Sequence, residues 1–216
     1  MVLDFLFPKT CVGCGKEGKC LCDKCLLELE IVEQVCPGCG KTSGGGWIHK
    51  RCTKLTALDG LTAVYSYKDG LVKKMIERIK YEFELELLRE WVGRISFETG
   101  MGFEMIVPVP LYWLRYNWRG FNQAEEIAQE VGRQNQLVVT EALRRLRNIK
   151  QQAKIESKEE RRRNVAGAFC VADVDIEDKK ILLVDDIFTS GATIEECGRV
   201  LKNRGAKSVW GLVLAR

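Results

Sequence analysis

The chain has 216 residues, 46 % of them hydrophobic and 30 % charged, with ten cysteines and a formal net charge of +4. This is the composition of an ordinary globular protein, which excludes collagen-like, mucin-like and disordered chains. Apolar runs are short, so no segment is expected to cross a bilayer. Eight of the ten cysteines lie between Cys11 and Cys52, which places a small satellite ahead of one core of normal size.

The opening Met1–Pro8 is apolar but has no basic start and no small-residue cleavage site before Cys11. It is expected to be a short anchor or docking strand and not a signal peptide. A chain without an export signal is expected in a reducing, cytoplasmic setting, where clustered cysteines hold metal more often than they form disulfides.

Residues 1–55 form the cysteine-rich module and residues 56–216 the main domain. Cys22–Glu33 suits a short helix with Leu26, Leu27 and Leu29 as its apolar contacts. Gly60–Tyr67 reads as a strand, and Lys68–Ile95 carries helical periodicity throughout. Met105–Pro110 is a short buried strand ended by prolines. Asn122 is set to cap a helix to Gln134, with Glu125 at capping-box spacing. Leu137–Thr140 reads as a brief strand, and Ala168–Val171 as another. Lys180–Val184 is a buried strand, Asp185–Ala192 a polar turn, Thr193–Arg204 a helix and Val209–Leu214 a strand. Strands alternating with helices predict an α/β fold with a central parallel sheet.

Charge is uneven. Arg144–Arg163 holds nine basic and three acidic residues, so this segment carries +6 and the remainder −2. With few apolar residues, it is expected to be a partly mobile basic element.

Cys11-x2-Cys14, Cys22-x2-Cys25, Cys36-x2-Cys39 and His49-x2-Cys52 are four two-ligand knuckles within about forty residues. A knuckle brings two ligands to one tetrahedral point, and two knuckles complete a structural zinc site. The simplest pairing is sequential: Cys11, Cys14, Cys22 and Cys25, then Cys36, Cys39, His49 and Cys52. A crossed pairing or a single zinc fits the same spacing, and Cys20 is an alternative to Cys22. With all ligands committed the metal is structural, not catalytic. Cys170 and Cys197 fall within apolar periodicity and read as core residues.

Chemistry concentrates in Val184-Asp185-Asp186-Ile187-Phe188-Thr189-Ser190-Gly191-Ala192-Thr193. Two carboxylates at the end of a buried strand precede a hydroxyl-rich loop that enters a helix. Backbone N–H groups at that helix start form a phosphate cradle, and Gly191 permits close approach. No lysine completes a Walker pattern. A phosphate joined to vicinal hydroxyls, as in ribose 5-phosphate, meets both demands.

That segment resembles the phosphoribosyl pyrophosphate signature of type I phosphoribosyltransferases. The resemblance implies that fold, with Asp185 and Asp186 as catalytic residues contacting the ribose. It places the 5-phosphate on Thr189, Ser190, Gly191, Ala192 and Thr193, with Mg²⁺ accompanying phosphoribosyl pyrophosphate. Pro108-Val109-Pro110, Arg119-Gly120-Phe121-Asn122-Gln123-Ala124 and Arg161–Phe169 are similar to the ComF family of that superfamily. Its members also begin with a cysteine-rich zinc module. Lys80, Arg119 and the Val107–Leu111 turn are the candidates for the pyrophosphate side. Three departures stand out: His49 replaces a family cysteine, Glu82-Phe83-Glu84 replaces a glycine, and Leu146–Ala153 lacks a family threonine.

The family resemblance implies handling of single-stranded DNA during natural transformation, beside a helicase-like ATPase and with peripheral membrane association through a partner. Trp113, Tyr116 and Trp118 with the basic stretch offer stacking and phosphate contacts. Two alternatives are a transferase that moves ribose 5-phosphate to an unidentified acceptor and a zinc-module adaptor that docks the ATPase without turnover.

Overall fold

A computed structural model describes residues 8–97, 100–148 and 157–216. The apolar opening at residues 1–7 and most of the segment 146–153 therefore lie outside the described residues.

Four parallel strands form the central sheet: β1 (Gly60–Tyr65), β2 (Met105–Pro108), β5 (Lys180–Ile187) and β6 (Ser208–Ala215), in the order β1-β6-β5-β2. A separate antiparallel pair is made by β3 (Leu143–Arg145) and β4 (Phe169–Val171). The helices are α1 (Asp23–Leu27), α2 (Gly70–Glu77), α3 (Leu85–Val92), α4 (Trp113–Arg119), α5 (Gln123–Asn135), α6 (Lys158–Val165) and α7 (Ala192–Asn203). Among the described residues no helix is long and apolar enough to cross a membrane.

Both faces of the sheet are covered, so its middle strands read as continuous apolar runs. Alternate residues serve opposite layers. Leu182, Val184, Trp210 and Leu212 pack with α2, α3 and α5, around the fully buried Trp91. Ile181, Leu183, Val209 and Val213 pack with Ile194, Cys197 and Leu201 of α7 and with Val165 of α6.

The helical pattern expected over Lys68–Ile95 is realised as two helices with a break between them. After α2 the chain widens into a π-turn at Arg78–Glu82 and reverses at Phe83, whose φ is 60°. A left-handed phenylalanine cannot continue a helix. Arg78 holds the break by pairing with Glu82 at 3.2 Å and with Glu84. Asn122 does cap α5, its side chain accepting from the Ala124 N–H, and its Nδ2 donates to the Val109 carbonyl at 3.0 Å. Leu137–Thr140 forms only a bridge, from Val139 to Ile106. Within Cys22–Glu33 the helix is only five residues long, with Leu29 buried and Leu27 turned to solvent.

Of the basic stretch, residues 144–148 and 157–163 are described. It supplies β3 at one end and α6 at the other, the latter capped by Ser157 on the Glu160 N–H.

The cysteine module packs on the main domain and shares its core: Cys11, Val12, Leu21, Cys25 and Leu29 join the cluster around α2 and α3. Glu90 accepts from the N–H groups of Cys20 and Leu21, and Arg94 donates to the Leu21 carbonyl at 2.6 Å. The module also covers the outer edge of β1. Gln34 exchanges two hydrogen bonds with the backbone of Ala63, and the Val32 N–H donates to the Val64 carbonyl. A strand edge paired in this way is closed to aggregation.

Trp210 fixes the fit. Its ring meets Trp47 of the module edge-on at 4.7 Å, and its Nε1–H donates to Thr62 at 2.9 Å. A Cβ on Gly60 would lie 2.1 Å from this ring. Gly60→Ala therefore overpacks the site and is expected to lower stability by about 1–3 kcal/mol. A denaturant titration followed by tryptophan fluorescence measures this, and an unchanged midpoint would contradict it.

Candidate functional site

The site lies at the carboxyl end of the sheet, where crevices form in parallel α/β folds. Strand β5 does not stop at Val184 as the sequence pattern suggests. It pairs with β6 as far as Ile187, with Asp185 opposite Val213. Asp185 and Asp186 are therefore strand residues, and consecutive strand side chains project to opposite faces. Asp186 meets Lys80 of the π-turn at 2.8 Å. Asp185 is influenced by Lys80 and then by Arg145, and lies electrostatically close to Cys197 of α7.

The loop expected to hold a phosphate follows. Gly191 has a φ of 73° and immediately precedes α7. A Cβ there would lie 2.4 Å from the Phe188 ring, so glycine is required for both conformation and space. Ser190 Oγ accepts from the Ala192 N–H, and Thr189 and Thr193 face the cavity.

One cavity of about 460 Å³ joins these parts. Asp185, Asp186, Thr189 and Thr193 line one side; Lys80, Arg115, Arg119, Gln123, Arg145 and Arg161 supply the polar groups of the remainder. Val109, Pro110 and Leu111 of the expected turn lie in its wall, and Tyr81 and Trp118 are also part of the lining. Lys80 and Arg119, predicted from the sequence, are thus brought to the carboxylates.

Arg145 and Gln123 were not among the predicted site residues. Arg145 sits on β3, where it pairs in register with Phe169 and lays its guanidinium over that ring at 5.5 Å. Its signal was the alternation of Leu143-Arg144-Arg145, hidden within a run of charge. Arg119 ends α4 and donates to Gln123 at 2.5 Å. Among the described residues, Arg119 Nε, Gln123 Nε2 and Arg145 Nε are buried without a hydrogen-bond partner, at a cost of about 1–3 kcal/mol each.

Burial pulls the Arg145 guanidinium down to about 10 and lowers Arg119 as well. Burial, and then the Asp186 carboxylate, push the Asp185 carboxyl up to about 7. Its folded value thus exceeds the ordinary 3.8, so between these values the folded state holds a proton that the unfolded state has lost. Stability falls as pH rises through that window. Asp185→Asn is expected to raise the unfolding midpoint of the ligand-free protein at about pH 8, with the gain shrinking toward about pH 4. Chemical denaturation at the two pH values checks this, and a pH-independent difference would contradict it.

In the module the structure gathers Cys11, Cys14, Cys22 and Cys25 into one group and Cys36, Cys39, His49 and Cys52 into another. Within each, the ligand atoms lie within 4.8 Å of one another. This is the sequential arrangement, and Cys20 is in neither group.

A double zinc ribbon domain model matches residues 2–53 and a phosphoribosyl transferase domain model matches residues 118–216. Competence protein ComFC of Streptococcus pneumoniae is 30 % identical over 93 % of this chain and 89 % of its own length. Competence protein F of Haemophilus influenzae is 28 % identical over 95 % of this chain and 90 % of its own. The DNA utilization protein YhgH of Escherichia coli K12 is 27 % identical, covering 91 % and 90 %. Similarity of this extent runs through both parts of the chain, which belongs to the ComF family of competence-related proteins: a double zinc ribbon joined to a phosphoribosyl transferase domain.

Proposed function

We propose that the protein binds phosphoribosyl pyrophosphate with Mg²⁺ and handles single-stranded DNA in a DNA-uptake role on the cytoplasmic side. The observation that carries the ligand reading is the cavity that sets Asp185, Asp186, Thr189 and Thr193 against Lys80, Arg119 and Arg145. The carboxylates suit ribose hydroxyls, and residues 189–193 suit the 5-phosphate. Arg119, Arg145, Gln123 and Lys80 suit the pyrophosphate. Mg²⁺ supplies neutralising charge to that group when bound. The printed names of the relatives, competence protein and DNA utilization protein, support the DNA reading.

A second reading, transfer of the ribose phosphate to an acceptor, is favoured by the Tyr81 and Trp118 rings in the cavity lining. A cavity with aromatic surface beside the sugar site has a place for a flat acceptor. Pyrophosphate release on adding that acceptor is its test.

Each four-ligand group is assigned one structural zinc, with residues 1–55 as the module and 56–216 as the transferase-like domain. No group has a ligand to spare for an open metal position.

Calorimetric titration with Mg²⁺ and phosphoribosyl pyrophosphate tests the ligand reading. Asp185→Asn combined with Asp186→Asn is expected to weaken binding by about a hundredfold or more, because charge-assisted hydrogen bonds are lost. No binding by the unaltered protein, or equal binding by the variant, would sink it. Elemental analysis is expected to give two zinc ions per chain, and Cys25→Ser to lower the count to about one. One zinc in the unaltered protein would overturn the sequential assignment.

A further inference from the structure

The turn that follows α2 adopts an unfavourable backbone. Phe83 has a φ of 60° and a ψ of 32°, the left-handed region that a bulky L-residue avoids. The π-turn at Arg78–Glu82 leads into it, and such widened turns are frequent at functional sites. Strain of this kind persists only where the surroundings over-determine it. Two contacts do so here. Phe83 packs edge-on against Trp118 at 4.7 Å. Arg78 reaches the carboxylates on either side of Phe83, Glu82 at 3.2 Å and Glu84. The side chains of Arg78 and Glu84 are 28 % and 27 % exposed, so their pair is better shielded than an ordinary surface ion pair. A guanidinium fork can also serve two carboxylates at once, where an ammonium acts as a single point charge.

Between the clamped ends lie the groups that meet the cavity. Ile79 is buried in the core beside α2. Lys80 pairs with Asp186 at 2.8 Å, and both Lys80 and Tyr81 line the cavity. A π-turn closes over one more residue than an α-turn. It therefore turns the side chains after Arg78 away from the directions that a continuous helix would give them. The direction of Lys80 is set by the turn, and the turn is closed by Arg78.

We propose that Arg78 is a positioning residue: its fork, closed on Glu82 and Glu84, holds Phe83 left-handed and so delivers Lys80 to Asp186. The proposal rests on the ligand reading given above for its consequence, that a cation for the pyrophosphate side is placed before the ligand arrives. The clamp itself is a property of the protein without ligand, and it is tested there first.

Acetylation of the lysines with acetic anhydride, followed residue by residue by mass spectrometry, provides the test. Asp186→Asn sets the rate for a Lys80 that has lost its partner, roughly tenfold or more above the unaltered protein, the weight of one charged hydrogen bond. Arg78→Ala is expected to raise the Lys80 rate toward that reference. Glu84→Gln, which leaves Arg78 in place, is expected to do the same. Lys202, which pairs with Asp59 at 2.7 Å, is expected to keep its rate in both. Phe83→Gly in the Arg78→Ala background is expected to restore protection of Lys80, because glycine enters the left-handed region freely. With Mg²⁺ and phosphoribosyl pyrophosphate, Arg78→Ala is expected to weaken binding as much as Lys80→Met, and the two together little more than either. Lys80 rates unchanged in both Arg78→Ala and Glu84→Gln would overturn the clamp. A Lys202 rate that rises in step would also overturn it, leaving Arg78 a role in overall stability alone. Absence of rescue by Phe83→Gly would overturn the route through the turn, and additive binding losses would overturn the action through Lys80. If the unaltered protein fails to bind phosphoribosyl pyrophosphate while the labelling behaves as expected, the ligand reading falls and the clamp stands.

Discussion

Strand alternation is the constraint on which the site depends. Asp185 and Asp186 are adjacent in sequence, yet β5 continues as a strand through both, so their side chains leave the backbone in opposite directions and still reach one cavity at the end of the sheet. The layer of α2 and the π-turn reaches Asp186 through Lys80. Asp185 also feels Lys80 and, after it, Arg145 of β3, and it lies close to Cys197 of α7. Had the strand ended at Val184, both carboxylates would sit on a loop. Extending it lets two carboxylates at one place be given different surroundings: Asp186 has a close cation, while Asp185 is raised by burial and by its neighbour.

The cysteine module is built into this arrangement. It completes the hydrophobic cluster beneath α2 and α3, and it supplies the groups that pair with the free edge of β1. Glu90 and Arg94 of the α3 region bind its backbone directly. A small cysteine-rich segment cannot assemble a large core of its own. Here it borrows one, and in return it shields apolar surface and a sheet edge that would otherwise be open.

Much of the molecule was legible in the sequence. The buried strands were read from apolar runs, the knuckles from ligand spacing, and the position of the loop between β5 and α7 from two acids followed by hydroxyls and glycine. Lys80 and Arg119 were found because motifs drew attention to them. What was missed has a physical pattern. The break at Phe83 depends on a phenylalanine adopting a glycine-like conformation, held by Arg78 and the Trp118 ring. Helical periodicity continues on both sides of it, so a pattern search passes straight through. Arg145 was counted as one charge among many, because a three-residue strand is too short to show its period. The module boundary suggested by composition also says nothing of the shared core, which only tertiary contact reveals.

The Lys80–Asp186 contact has a further meaning for selectivity. In the ligand-free protein the Asp186 carboxylate is already satisfied by an ammonium. Any hydrogen-bond donor that is to reach this carboxylate must displace Lys80, and the released ammonium then turns toward negative charge elsewhere in the cavity. What Asp186 accepts is thereby coupled to what Lys80 can hold.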